Sequence, residues 1–202
     1  MRNVISGLAA IFLISTSTFA QIPTKGNIFF GYSYARVNFS GPPSLPDTGG
    51  LAFSNPANVN GWNGSLEGKV LPFVGIVADL SGHYGSPTVT VECGFVAGCT
   101  PTTEKATTRL YNVLFGPRLS VSVGKFTPFA HVLVGVGHVS ETASAPAFSH
   151  SSTSFADALG GGIDYKLIKG IAWRGQLDFL QDRFFSNTQN NFRFSTGVVF
   201  RF

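Results

Sequence analysis

The chain has 202 residues, 44% of them hydrophobic and 12% charged, with a formal net charge of +4. After the N-terminal segment no apolar run reaches the roughly twenty residues that a membrane helix needs, which excludes a helical membrane protein. The basic residues are scattered rather than gathered in a stripe, so the positive balance does not point to nucleic acid. Twenty Phe and twenty-four Gly beside a single Met are unusual for a soluble core, where Leu would lead. They suit a β-barrel wall, in which aromatics sit at the membrane interface and Gly relieves crowding between curving strands.

Residues 1–20 read as a secretory signal peptide. Arg2 gives a positive start, Val4 to Ile14 is mostly apolar, and Thr18-Phe19-Ala20 offers a cleavage position before Gln21. Residues 21–202 are then one domain. Asn27 to Phe39 alternates Ile28, Phe30, Tyr32 and Tyr34 against Phe29, Gly31, Ser33 and Ala35, the period of a strand with an aromatic outer face. Ser40 to Asn58 holds four prolines among Gly, Ser and Asn and reads as a long loop. Val59 to Val70 resumes the alternation, Leu71-Pro72 is a tight connection, and Phe73 to Tyr84 completes a hairpin. Gly85 to Ala106 is a second long loop, with short β structure expected near Thr88 to Glu92. It carries Cys93 and Cys99, which an oxidising exported compartment would join as a loop-closing disulfide.

Thr107 to Ser120 is a fourth strand, and Ser122 to Lys125 turns the chain. Thr127 to Ser140 is a fifth with ambiguous faces, because Phe129 and Leu133 stand in the row opposite Ala130, Val132, Val134 and Val136. Glu141 to Ser152, rich in Ser and Ala, reads as a third loop. Thr153 to Leu167 follows, with Asp157 tolerable on its outer face only above the membrane. Ile168-Lys169-Gly170 is a turn, Ile171 to Arg183 a seventh strand, and Phe185 to Asn190 a fourth connection. The last segment, Asn191 to Phe202, alternates most cleanly: Phe192, Phe194, Thr196, Val198, Phe200 and Phe202 oppose Arg193, Ser195, Gly197, Val199 and Arg201. One face suits lipid and the other water.

Connections that alternate long and short have a cause in a transmembrane barrel, where short turns lie in the periplasm and long loops outside. The expected fold is therefore all-β: a closed antiparallel transmembrane β-barrel of about eight strands with both termini in the periplasm. Its place is the outer membrane of a diderm bacterium, reached through the cleaved signal. On Gly160-Gly161-Gly162-Ile163-Asp164-Tyr165-Lys166-Leu167 and Phe194 to Phe202, the chain resembles the small eight-stranded outer-membrane barrels, the class that holds the OmpA membrane domain, OmpX and the opacity-type proteins. That resemblance implies that Phe200 and Phe202 form part of a terminal signal read by the barrel-assembly machinery.

The expected lumen collects Glu67, Lys69, Asp79, Arg118, Asp164, Lys166, Arg174, Asp178, Arg193 and Arg201, with His83 and His131 in reach. An eight-stranded interior is just wide enough to be filled by side chains, so paired charges plugging it are the first reading and a narrow pore for small solutes or ions the alternative. Arg193 and Arg201 are expected to find partners among Glu67, Asp79, Asp164 and Asp178. His138-Val139-Ser140 and His150-Ser151-Ser152 resemble the His-x-Ser pattern of outer-membrane lipid A deacylases; with no further motif around them, a lipid A-modifying hydrolase ranks below both other readings, and no enzyme is expected. Dispersed His residues and a Gly run inside a strand support no metal, cofactor or nucleotide site. The expected role is structural or surface interaction, as a monomer. Its partners are outer-membrane lipid, lipopolysaccharide and an extracellular ligand held by the loops.

Overall fold

The computed structural model describes residues 25–37, 51–53, 57–91, 102–144, 147–182 and 189–202. They form eleven strands: β1 (Gly26–Val37), β2 (Leu51–Phe53), β3 (Ala57–Lys69), β4 (Val74–Gly85), β5 (Thr88–Val91), β6 (Thr102–Lys105), β7 (Thr107–Ser120), β8 (Phe126–Ser144), β9 (Ala147–Ile168), β10 (Ile171–Asp182) and β11 (Gln189–Arg201). Eight of these close an antiparallel barrel in the order β1-β11-β10-β9-β8-β7-β4-β3. The closing seam pairs β1 with β11 from Asn27 opposite Arg201 to Arg36 opposite Phe192. β2, β5 and β6, cut from the two long connections, make a separate three-stranded sheet.

The alternation decides what each face meets. Phe30, Phe115 and Leu177 are each more than 60% exposed on the outer wall, where only hydrocarbon would cover them. Aromatic pairs mark the two edges of this belt: Tyr84 with Tyr111 toward the long connections, and Phe126 with Tyr165 toward the short turns. On β8 the ambiguity resolves. Ala130, Val132, Val134 and Val136 are exposed outside, while Phe129, His131 and Leu133 are buried inside. The short turns use Gly124 and Gly170 at φ of 61° and 82°, a region other residues enter at a cost.

Two expected loops need correction. The stretch from Ser40 to Asn58 contains β2, and its end already belongs to β3. Glu141 to Ser152 is mostly strand: β8 and β9 continue as one tall hairpin paired from Phe126 opposite Tyr165 to Ser144 opposite Ala147. Beyond the apolar belt the outer face of a strand meets water rather than lipid, so Ser, Thr and His can line it without the apolar alternation that betrays a strand in lipid. Cys93, Cys99 and Arg183 lie outside the described residues.

At the seam Gly31 stands opposite Gly197. A Cβ on Gly197 would lie 2.3 Å from the Phe30 carbonyl oxygen and 2.4 Å from the Gly31 Cα, so the two strands approach only because neither residue has one. Gly197→Val should cost about 3 kcal/mol or more and abolish the folded, fast-migrating band on unheated gels. Gly124→Asn, in a turn with nothing within 4 Å of a new Cβ, should keep that band. A second test concerns Glu141, buried in the hairpin base above the belt, where desolvation raises its carboxyl above the ordinary 4.5. A raised folded pKa contributes stability below that value and loses it as pH rises. Glu141→Gln should therefore raise the unfolding midpoint at pH 8 more than at pH 4, read by tryptophan fluorescence.

Candidate functional site in the barrel interior

Inward residues of a narrow barrel have little access to water, so most of their charges must find partners within the wall. They do so in two layers. Nearer the short turns, Glu67 receives Lys69 Nζ at 2.8 Å, Arg118 Nη1 at 3.1 Å and Asn27 Nδ2 at 2.6 Å. In the same layer Arg174 grips Asp164 by two parallel bonds, Nε to Oδ1 at 2.6 Å and Nη2 to Oδ2 at 3.0 Å, and Arg201 Nη2 adds a third at 3.2 Å. This side-on fork is the strongest form of the Arg–carboxylate contact.

The second layer centres on Arg193, which has no exposed surface. Its Nη1 meets Asp79 at 2.8 Å and its Nη2 meets Asp178 at 2.7 Å, tying β11 to β4 across the lumen and to β10 beside it. Asp178 also receives Gln176 Nε2 at 2.9 Å and lies 2.8 Å from His131 Nε2. Asn63 Nδ2 completes Asp79 at 2.9 Å. His83 Nε2 meets Ser33 Oγ at 2.9 Å.

Aromatic and apolar groups fill the space between and around these layers. The Arg118 guanidinium carbon lies 3.3 Å from the Phe129 ring centre, and that of Arg174 lies 4.8 Å from the same ring. Phe29, Ala172 and Val199 pack beside them. Toward the long connections Ala35, Val37, Ala57, Val59, Leu110 and Val139 form a buried apolar cluster. At the turn end a cavity of about 450 Å³ opens, and the lower charged layer lines it.

Nine of the ten charges expected in the lumen thus pair with one another there; Lys166 does not. It is exposed at the end of β9, where the register of β9 and β10 shifts and its side chain escapes the interior. Neutral side chains join the charges: Asn27, Asn63 and Gln176 share the inward parity of their strands and donate to Glu67, Asp79 and Asp178. Phe200 lies on the outer wall, and the Phe202 backbone pairs with Gly26. His138 and Ser140 stand on the outer face of β8, and the His138 ring bonds across to Thr153 Oγ1 at 2.7 Å. The side chain of His150 lies outside the described residues. Among the described residues no three His, Cys, Asp or Glu side chains gather as a metal site.

No family model and no curated protein sequence matches the chain. Solved structures do. Neisserial surface protein A aligns over 88% of this chain and 97% of its own at 10% identity and a TM-score of 0.59. Ail, the attachment invasion locus protein of Yersinia pestis, bound to the heparin analogue sucrose octasulfate, aligns over 88% and 98% at 16% identity and 0.56. The outer membrane protein OprG of Pseudomonas aeruginosa aligns over 90% and 97% at 11% identity and 0.55. At such identities the likeness is one of fold. Closure, strand number, an exposed apolar wall and these neighbours agree: the chain is a small eight-stranded β-barrel of the outer-membrane fold class.

Proposed function

We propose that the protein is a surface-interaction barrel of the outer membrane: its lumen is a structural plug, and recognition is carried by the strands and loops above the membrane. The observation that carries this reading is the edge of β9. Its pairing with β10 starts only at Ala156, so among the described residues Ala147 to Phe155 is paired on one side, to β8, and offers a row of backbone donors and acceptors on the other. Such an edge is a template for an added strand or for a polar ligand.

The surroundings of that hairpin favour anionic partners. Arg36, Lys105, Arg109 and His138 are exposed near the loop end. Thr107, Arg109, Ser140 and Thr142 line a recess of about 260 Å³. Cations and hydroxyls just above an aromatic girdle suit the phosphates and sugars of lipopolysaccharide and, further out, a sulfated polysaccharide. The sulfated analogue held by Ail makes heparin a reasonable first probe.

The plug reading rests on the two charged layers, whose side chains bridge the lumen, and on the apolar cluster above them. A proteolytic or lipid-hydrolysing reading gains no support from His138, whose ring is engaged by Thr153 rather than by Ser140.

Three outcomes are expected. Proteoliposomes carrying the barrel should be retained on immobilised heparin, and removing residues 141–150 behind an Asn-Gly joint should release most of them while leaving the folded gel mobility unchanged; equal retention contradicts the reading. In planar bilayers the barrel should pass no steady current. Arg193→Met should lower stability by about 3–5 kcal/mol in urea titrations, because it strands two buried carboxylates. Adding Asp79→Asn and Asp178→Asn should recover much of that loss.

A further inference from the structure

We infer that the turn end of the lumen is a binding site for a small phosphate-class dianion, inorganic phosphate or a phosphomonoester, that enters from the periplasm. The cavity of about 450 Å³ lies among Lys25, Lys69, Arg118, Arg201, Glu67 and Asp164, at the end that carries both the short turns and the pairing of Gly26 with Phe202. In outer-membrane barrels that end faces the periplasm. Its volume lies in the range of small-molecule sites.

Charge balance supplies the argument. In the lower layer Lys69, Arg118, Arg174 and Arg201 share only two carboxylates, Glu67 and Asp164. The exposed ammonium of Lys25 adds to the rim. The layer above cannot absorb the surplus. Arg193 there faces Asp79 and Asp178, one carboxylate more than its single guanidinium, and His131 bonds to Asp178 as well. A surplus of two cations around a partly open cavity attracts a counter-anion.

The donors suit a tetrahedral oxyanion. Arg118 is 2% exposed, and among the described residues its Nε and Nη2 have no hydrogen-bond partner. That is the edge by which Arg174 holds both oxygens of Asp164, and in Arg118 it is unused. Buried donors without partners are costly, and an anion drawn against that edge would satisfy them. Lys69 and Arg201, 22% and 29% exposed, stand at the mouth as first contacts. Stacking of Arg118 on Phe129 fixes the guanidinium plane, so little ordering is left for the anion to impose. Beyond the site lie the Arg193 layer and the apolar cluster.

Calorimetric titration of inorganic phosphate into the full, refolded chain in octyl glucoside tests this directly, with sodium chloride at matched ionic strength as reference. Saturable binding is expected with phosphate and not with chloride. Lys69→Gln and Arg201→Gln should each weaken it about tenfold, as loss of one charge-assisted contact implies, whereas Lys125→Gln on a neighbouring turn should not. Both cavity variants alter partly exposed side chains, and folded gel mobility verifies that they form barrels. sn-Glycerol 3-phosphate as a second titrant separates the sources: tighter binding than inorganic phosphate indicates an organic phosphomonoester, and equal binding indicates the free ion. Absence of saturable binding, or unchanged affinity in both cavity variants, overturns the proposal.

Discussion

Hydrocarbon offers no partner for a backbone N–H or C=O, so a strand assembly in a membrane has to close on itself. The pairing of β1 with β11 meets that demand, and the rest of the molecule follows from it. Closure with eight strands sets a lumen that side chains can fill. It also sets curvature, which at Gly31 and Gly197 brings two backbones closer than any side chain would permit. The outer wall is then free to be apolar, because its polar atoms are already engaged within the sheet.

The narrow lumen turns the inward row of every strand into a problem of buried charge. Arg193 solves it in one layer by spanning from Asp178 to Asp79, linking strands that are far apart in the chain. The layer nearer the short turns is unequal, with more guanidinium and ammonium groups than carboxylates and a cavity beside them. Burial of an ion pair is a weak source of stability in general, since desolvation offsets most of the attraction. Its effect here is geometric. Each bridge works only in one strand register, and a slip by one residue would turn Arg193 into lipid.

Much of this was legible in the residues. Period-two alternation located all eight barrel strands, because in lipid the outer row must be apolar and the inner row of a small barrel polar. The inward placement of Arg174 and Asp178 followed from parity alone. Which carboxylate each arginine holds did not, since partners such as Arg193 and Asp79 are 114 positions apart and meet only through closure. The tall hairpin of β8 and β9 was misread as a loop because water rather than lipid bathes the outer face above the membrane and the alternation fades into Ser and Thr. β2 was hidden for a related reason: three residues between prolines are too short to show a period. Lys166 kept the right parity but sits where the register shifts at the end of β9.

Closure is the claim on which the account stands, and one cross-link tests it. The hydroxyls of Ser33 and Ser195, paired across the seam, lie 3.0 Å apart in the interior. A chain with Cys at both positions, and with Cys93 and Cys99 replaced by Ser, should form an intramolecular disulfide in lipid vesicles, seen as a shifted band on non-reducing gels. Near-complete cross-linking is the result closure predicts. Folded, membrane-inserted protein that stays uncross-linked under oxidation would contradict it.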